Sequence, residues 1–140
     1  MHLVAVSALA GIGWVVQCVV YPAFALVGAS EWAAYHARHT RAITPVVGLP
    51  WAAQGISTVA LLLAPGRLAA DLGLSALALV TVVSTVAVAV PAHARLAAID
   101  TRAVPGSESV LRVLLRANLV RTLAWSVAMA TAGALVVAGP

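Results

Sequence analysis

Histidine and arginine supply most of the reactive chemistry in this sequence. The segment from Ser30 to Arg41 contains His36 and His39, and a spacing of three places both side chains on one face of a helix. A neutral histidine can remove a proton from an activated C–H or O–H group, and an arginine can stabilise the oxyanion that forms. The candidate catalytic residues are His36, His39, His93 and Arg121. The choice of base among the three histidines stays open.

Polar and aromatic side chains form a stripe on two of the apolar segments. Gln17 and Tyr21 follow each other at helical spacing in the first segment, as do Asn118 and Trp125 in the last. The candidate substrate-binding residues are Gln17, Tyr21, Tyr35, Asn118 and Trp125. A plainer interpretation stays open, because tyrosine and tryptophan commonly anchor helices at a membrane surface, while amides hydrogen-bond between helices.

Three histidines also allow a metal or haem site. Imidazole nitrogens are suitable ligands for iron, copper and zinc, so His36, His39 and His93 are the alternative metal ligands. Cys18 is the one cysteine, which excludes a disulfide or a thiolate cluster within a single chain. The sequence predicts no cofactor, with a histidine-ligated metal or haem as the alternative.

The composition predicts the elements that must position these residues. Hydrophobic residues make up 63% of the 140 residues and charged residues only 9%, whereas soluble domains carry about 25% charged residues. A helix needs about 20 apolar residues to span a bilayer, and four segments qualify: 3–28, 43–64, 72–93 and 110–138. We therefore predict an all-α fold, an integral membrane four-helix bundle forming one domain over residues 1–140. A short cytoplasmic interfacial helix is expected over 30–41, between the first two spans, with Ser30 as its cap.

Arginines in the connections predict the orientation. Seven of them fall at one end of the bundle, namely Arg38, Arg41, Arg95, Arg102, Arg112, Arg116 and Arg121. Arg67 alone falls at the other end. Positively charged loops stay in the cytoplasm, so we expect a multi-pass protein of the cell inner membrane with both termini extracytoplasmic and the polar residues near the cytoplasmic face. The arginines form no extended basic face, which argues against nucleic acid as a partner. The expected partners are the lipid bilayer and a lipophilic small molecule, and the many small residues also permit homo-oligomers.

Four stretches together resemble a known family. They are Gln17-Cys-Val-Val-Tyr-Pro-Ala-Phe24, Tyr35-His-Ala-Arg-His39, Pro91-Ala-His-Ala-Arg-Leu96 and Asn118-Leu-Val-Arg-Thr-Leu-Ala-Trp125. Most of the chain is thereby similar to small four-helix bacterial and fungal membrane proteins that include the anthrone oxygenases of aromatic polyketide pathways. This resemblance implies a cofactor-independent oxidation of a lipophilic phenolic substrate at the membrane.

Three functions are compatible with these observations. The first is a small membrane enzyme that uses histidine and arginine for acid–base chemistry on a polyketide-, terpenoid- or quinone-like substrate, by oxygenation, isomerisation or cyclisation in natural-product biosynthesis. The second is the histidine-ligated metal or haem membrane protein. The third is a non-enzymatic binding or assembly subunit of a membrane complex.

Overall fold

The computed structural model describes residues 1–65, 67–99 and 107–139, and these residues form four long helices. They are α1 (His2–Phe24), α2 (Trp32–Leu63), α3 (Leu68–Ala97) and α4 (Ser107–Val137). No strand occurs within the described ranges, which confirms the all-helical prediction. Each helix is long and apolar enough to cross a membrane. Arg102 lies outside the described residues.

The second helix runs without a break from Trp32 to Leu63, so the separate short helix predicted over 30–41 was wrong. A proline in a helix interior removes one N–H donor and usually breaks or kinks the helix, which is why Pro45 suggested a boundary. In α2 the helix continues through Pro45, and the hydroxyl of the preceding Thr44 donates to the carbonyl of Thr40 at 2.7 Å. Such local hydroxyl bonds are one way in which apolar helices tolerate proline. Ser30 does not cap the helix, because its hydroxyl donates to the Glu31 carboxylate.

Two π-helical turns interrupt α1 and α3 at related places. One covers Val16–Val20, and the other covers Ser84–Ala89. Each turn comes just before a proline, Pro22 or Pro91. Proline clashes with the carbonyl four residues earlier, and the wider π turn relieves this conflict. The turns therefore determine the direction in which the residues next to each proline point, and these include Tyr21 and His93.

The helices alternate in direction, so the bundle has two distinct ends. Contacts between Trp32 and Leu96 define one end, where α1 and α3 finish and α2 and α4 begin. We call it the histidine end. At the opposite end the guanidinium of Arg67 donates to the carbonyl of Leu135 at 2.9 Å.

Helices α1 and α4 approach closely at Gly13. A Cβ added to Gly13 would lie 2.5 Å from the hydroxyl oxygen of Thr122, so only glycine allows this approach. Leu9 on α1 and Leu114 on α4 are fully buried. Close packing at this point fixes the depth at which the polar stripes of the two helices face each other.

Polar side chains lie inside the bundle and apolar ones face outward. The large exposed side chains along the four helices include Leu49, Ile56, Leu79, Val86 and Val127. The buried polar side chains include His36, Gln54, Asn118, Arg121 and Thr122. An apolar exterior suits lipid, and it leaves the interior as the place where polar groups meet.

Candidate functional site

A cavity of about 340 Å³ lies among all four helices toward the histidine end. Its wall is mostly apolar, with Leu9 and Ile12 from α1, Ile43 and Val47 from α2, and Val90 from α3. The polar and aromatic side chains that also line it are Tyr21, His39, Thr44, Trp51, Thr85, His93, Asn118, Arg121 and Trp125. The cavity therefore suits a largely apolar ligand with a few polar atoms.

Arg121 is the one formally charged residue on the cavity wall. Its side chain is 7% exposed, Nη2 donates to Oδ1 of Asn118 at 3.4 Å, and the guanidinium lies close to the Tyr21 phenol. Its Nη1 is enclosed and has no hydrogen-bond partner among the described residues. Within the described ranges the salt bridge found is the exposed Glu108–Arg112 pair, so no described carboxylate neutralises Arg121. A buried guanidinium in this state favours an anionic or electron-rich oxygen in the cavity.

The amide of Asn118 is held in one orientation. Its Nδ2 donates to the carbonyl of Gly13 at 3.1 Å and to Oε1 of Gln17 at 2.9 Å. These two bonds turn Oδ1 toward Arg121. Gln17, predicted to bind substrate, does not line this cavity and holds Asn118 in place.

His93 stands at the centre of a hydrogen-bonded chain. Its Nε2 lies 3.1 Å from the hydroxyl of Tyr21, and its Nδ1 lies 3.2 Å from Nε2 of His36. Tyr21 and His93 line the cavity, but His36 lies behind His93. The structure therefore brings these three predicted residues together. Tyr21 and His93 lie on the cavity wall, and His36 lies one residue further from the cavity.

His39 lies on the cavity wall without a hydrogen bond to any described residue. Its ring packs edge-on against Phe24, with centroids 4.9 Å apart, and lies nearly parallel to His93 at 6.5 Å. A neutral imidazole has one lone pair on a ring nitrogen. In His39 that lone pair is not used by the protein, so it is available to a ligand.

Two aromatic predictions have different outcomes. Trp125 lines the cavity, and its indole N–H donates to Oε1 of Gln54 at 3.0 Å. Tyr35 is 38% exposed and packs against Phe24 on the outside of the histidine end. Tyr35, predicted to bind substrate, therefore does not line this cavity.

Sequence reasoning missed the contribution of α2 to the wall. Trp51 lines the cavity, and the buried Gln54 orients Trp125 from behind. His39, Ile43, Val47 and Trp51 are spaced four apart, and that spacing marks a single helix face. The prolines around these residues obscured that signal.

His36 and His93, two of the three candidate metal ligands, hydrogen-bond each other. Both ring nitrogens of His93 are engaged, one with Tyr21 and one with His36. In the part of the chain that the structure describes, no group of three or more histidine, cysteine or acidic side chains is placed to hold a metal ion. A metal on His36, His39 and His93 would require the hydrogen-bonded chain to break.

Comparison with protein-family models, with curated proteins and with solved structures finds no match to this chain. Its function is therefore inferred from the cavity itself.

Proposed function

We propose that the protein is a small integral-membrane enzyme that binds a lipophilic phenol or enolisable ketone and catalyses acid–base chemistry on it. One observation carries this proposal: the buried Arg121, for which no described carboxylate is a salt-bridge partner, lines a mostly apolar cavity. Leaving a buried charge without a partner is costly. A ligand oxygen that accepts from the guanidinium offsets that cost, and it does so best when the oxygen carries negative charge.

The size and lining of the cavity support an aromatic ligand. Its volume of about 340 Å³ is at the lower end of the range for small-molecule sites. Apolar side chains of Ile12, Val47 and Val90 supply flat contact surfaces, and Trp51 and Trp125 add aromatic ones. A polyketide-, terpenoid- or quinone-like compound of two or three rings suits these walls, and such a compound dissolves in lipid.

His39 and Arg121 have the two complementary roles that deprotonation of such a compound needs. The free imidazole of His39 takes a proton from the acidic C–H next to the carbonyl. The electron pair left on carbon is delocalised onto the carbonyl oxygen, where Arg121 stabilises it. In an oxygenation, the activated CH2 group and one O2 then give a carbonyl group and one molecule of water. Isomerisation or cyclisation would use the same deprotonation.

The resemblance noted in the sequence adds support. Tyr21, His93, Asn118 and Arg121 come from three of the four stretches similar to the anthrone oxygenase family, and all four residues meet at this cavity. We therefore propose oxygenation of an anthrone-like substrate as the first reaction to test, without a bound cofactor.

The proposed location is the inner membrane, with the histidine end toward the cytoplasm. The four helices are long and apolar enough to span it, and exposed Arg38, Arg41, Arg95 and Arg112 lie at the histidine end. Arg67 alone lies at the other end. Both termini would then lie outside the cytoplasm.

The experiment is oxygen uptake with 1,8-dihydroxyanthrone, using the purified protein in lipid nanodiscs and protein-free nanodiscs as the background. Oxidation to the quinone above background is expected, and it should fall by about 100-fold or more in Arg121→Met and in His39→Gln. Arg38→Gln is the matched control, because Arg38 is exposed at the same end and does not line the cavity. Wild-type uptake equal to background contradicts the proposed reaction. Activity that tracks bound iron, copper or zinc in an elemental analysis would replace this proposal with the metal interpretation.

A further inference from the structure

We infer that Tyr21, His93 and His36 form a proton-conducting chain that joins the cavity to a groove between α2 and α3. The Tyr21 hydroxyl and His93 Nε2 are 3.1 Å apart, and His93 Nδ1 and His36 Nε2 are 3.2 Å apart. Both spacings are those of hydrogen bonds, and the side chains come from three different helices. His93 is the link, because it is the ionisable residue that lines both the cavity and the groove.

The guanidinium of Arg121 sets the direction of the chain. It lies close to Tyr21 and can only donate hydrogen bonds, so the oxygen of the phenol, rather than its proton, faces Arg121. The Tyr21 proton is then directed at His93 Nε2. A neutral imidazole carries one N–H, so His93 must carry it on Nδ1 and donate to Nε2 of His36. His36 in turn carries its proton on Nδ1, at the outer end of the chain.

The groove gives this outer end an exit. It has a volume of about 650 Å³ and is lined by His36 and His93 together with exposed residues at the histidine end, including Ala37, Thr40, Arg41 and Ala94. The enclosed polar atoms without a partner are His2 Nε2, Gln54 Nε2 and Arg121 Nη1 among the described residues. Nδ1 of His36 is not one of them, so a water molecule in the groove can reach it.

The inference rests on the proposed function in one respect, which is that the ligand carries an acidic proton. A phenol enters from lipid as the neutral molecule and binds beside Arg121 as the anion, so one proton must leave an apolar cavity. The ligand O–H protonates the Tyr21 oxygen while Tyr21 passes its proton to His93 Nε2. His93 passes its Nδ1 proton to His36 Nε2, and His36 releases its Nδ1 proton to water. Every N–H or O–H bond broken is replaced by one formed: the ligand becomes an anion, the water that takes the proton becomes hydronium, and His93 and His36 stay neutral with their protons moved to Nε2.

His39 does not provide the same path. It faces the cavity and can accept a proton, but it has no hydrogen bond to any described residue that could carry the proton onward. Of the charged and titratable groups around the cavity, Arg121 stabilises the ligand anion and His39 accepts the proton of the acidic C–H group. The chain through His36 carries away the proton of the phenol.

The first measurement is stopped-flow absorbance with alizarin, a lipophilic phenol whose colour reports its ionisation, mixed with the protein in nanodiscs. Wild type should form the bound anion rapidly. His36→Ala should reach the same final anion level about tenfold more slowly, because the proton on His93 Nδ1 loses its hydrogen-bond acceptor. Added imidazole should restore the rate in His36→Ala and have no effect on wild type or on Arg38→Gln. An unchanged rate in folded His36→Ala, or a slow rate that imidazole does not restore, overturns the chain.

The second measurement decides the chain without any ligand. Protein with ¹⁵N-labelled histidine is examined by NMR in nanodiscs, with His36→Ala and His93→Gln used for assignment. The expected result is protonated Nδ1 on His93 and His36, with a hydrogen bond from His93 Nδ1 to His36 Nε2. Protonated Nε2 on His93 overturns the proposed direction. If wild type shows this NMR pattern but does not bind alizarin, the proposed ligand is contradicted and the hydrogen-bonded chain is still supported.

Discussion

The two ends of the bundle both contain a buried histidine, and they use it differently. At the histidine end His93 is hydrogen-bonded on both ring nitrogens and lies within reach of a cavity wall that contains Arg121. At the opposite end His2 Nδ1 lies 3.1 Å from the Ser57 hydroxyl, and its Nε2 has no partner. Buried polar groups are therefore common to both ends and do not identify a site by themselves.

The two ends of the bundle differ in how their polar groups are connected to one another. Ser57 also donates to the carbonyl of Ala53 at 2.7 Å, so its bond to His2 ends on the backbone. The chain from Tyr21 through His93 to His36 links two cavities instead. Unpartnered polar atoms occur at both ends, so they do not distinguish the two. What marks the histidine end is that its polar chain connects two cavities and that the charged Arg121 lines one of them.

The largest expected effect is that of Arg121→Met on ligand binding. The change removes the one charged group on the cavity wall, and we expect affinity for alizarin to fall by about 100-fold. Folding stability should stay the same or rise, because a buried cation without a carboxylate partner is replaced by an apolar side chain of similar length. Thermal unfolding and absorbance titration on the same samples check both parts. A large loss of stability with unchanged affinity would make Arg121 a structural residue.

Replacement of Gly13 tests the packing that positions Asn118. Gly13→Ala places a methyl group against Thr122, and overpacking of this kind costs about 1–3 kcal/mol. Gly73→Ala at the opposite end has nothing within 4 Å of the new methyl group, so it should be neutral or stabilising. Thr122→Ala in the Gly13→Ala background should recover most of the loss. Equal destabilisation by the two glycine changes would show that the close approach at Gly13 is not specific.

Tyr21→Phe should have an intermediate effect. It removes the hydroxyl that connects Arg121 to His93, while the ring stays in contact with Phe24. We expect a fall of about tenfold in the rate at which bound alizarin ionises, with little change in stability, since the lost hydrogen bonds are worth about 1–1.5 kcal/mol. Ionisation as fast as in wild type would exclude the hydroxyl from the chain.

The smallest effect is expected at the opposite end. Asp71 is buried beside His2 and lines a separate cavity with Ser57 and Arg67. Asp71→Asn should change affinity for alizarin by less than about twofold, since a change at one end of the bundle acts independently of a binding site at the other end. A change as large as that of Arg121→Met would place the ligand at the wrong end of the bundle.

The sequence predicts the helices and much of the histidine end for simple physical reasons. Long apolar segments must be helical in lipid, and stripes at helical spacing bring Tyr21, Asn118 and Arg121 to one interior face. His36 and His39 were correctly identified as neighbours, but their spacing does not determine which one faces the cavity. That difference depends on where α2 contacts α3.

Other features depend on packing that one sequence does not encode locally. The continuous α2 was not predicted because proline is unfavourable inside a helix. In α2 the helix nevertheless continues through Pro45, and the hydroxyl of Thr44 beside it donates to the carbonyl of Thr40. Tyr35 and Gln17 do not line the cavity, and the sequence does not predict this because a helical period fixes a face only to within a fraction of a turn. The role of Gln54 depends on its contact with Trp125, which lies on another helix.

The most direct test of the account is an absorbance titration of the protein in nanodiscs with alizarin. The account predicts one bound molecule per chain with the spectrum of the anion, and loss of that bound anion in Arg121→Met but not in Asp71→Asn. Binding of the neutral form, or equal binding to wild type and Arg121→Met, would contradict the claim that Arg121 receives an ionised ligand oxygen.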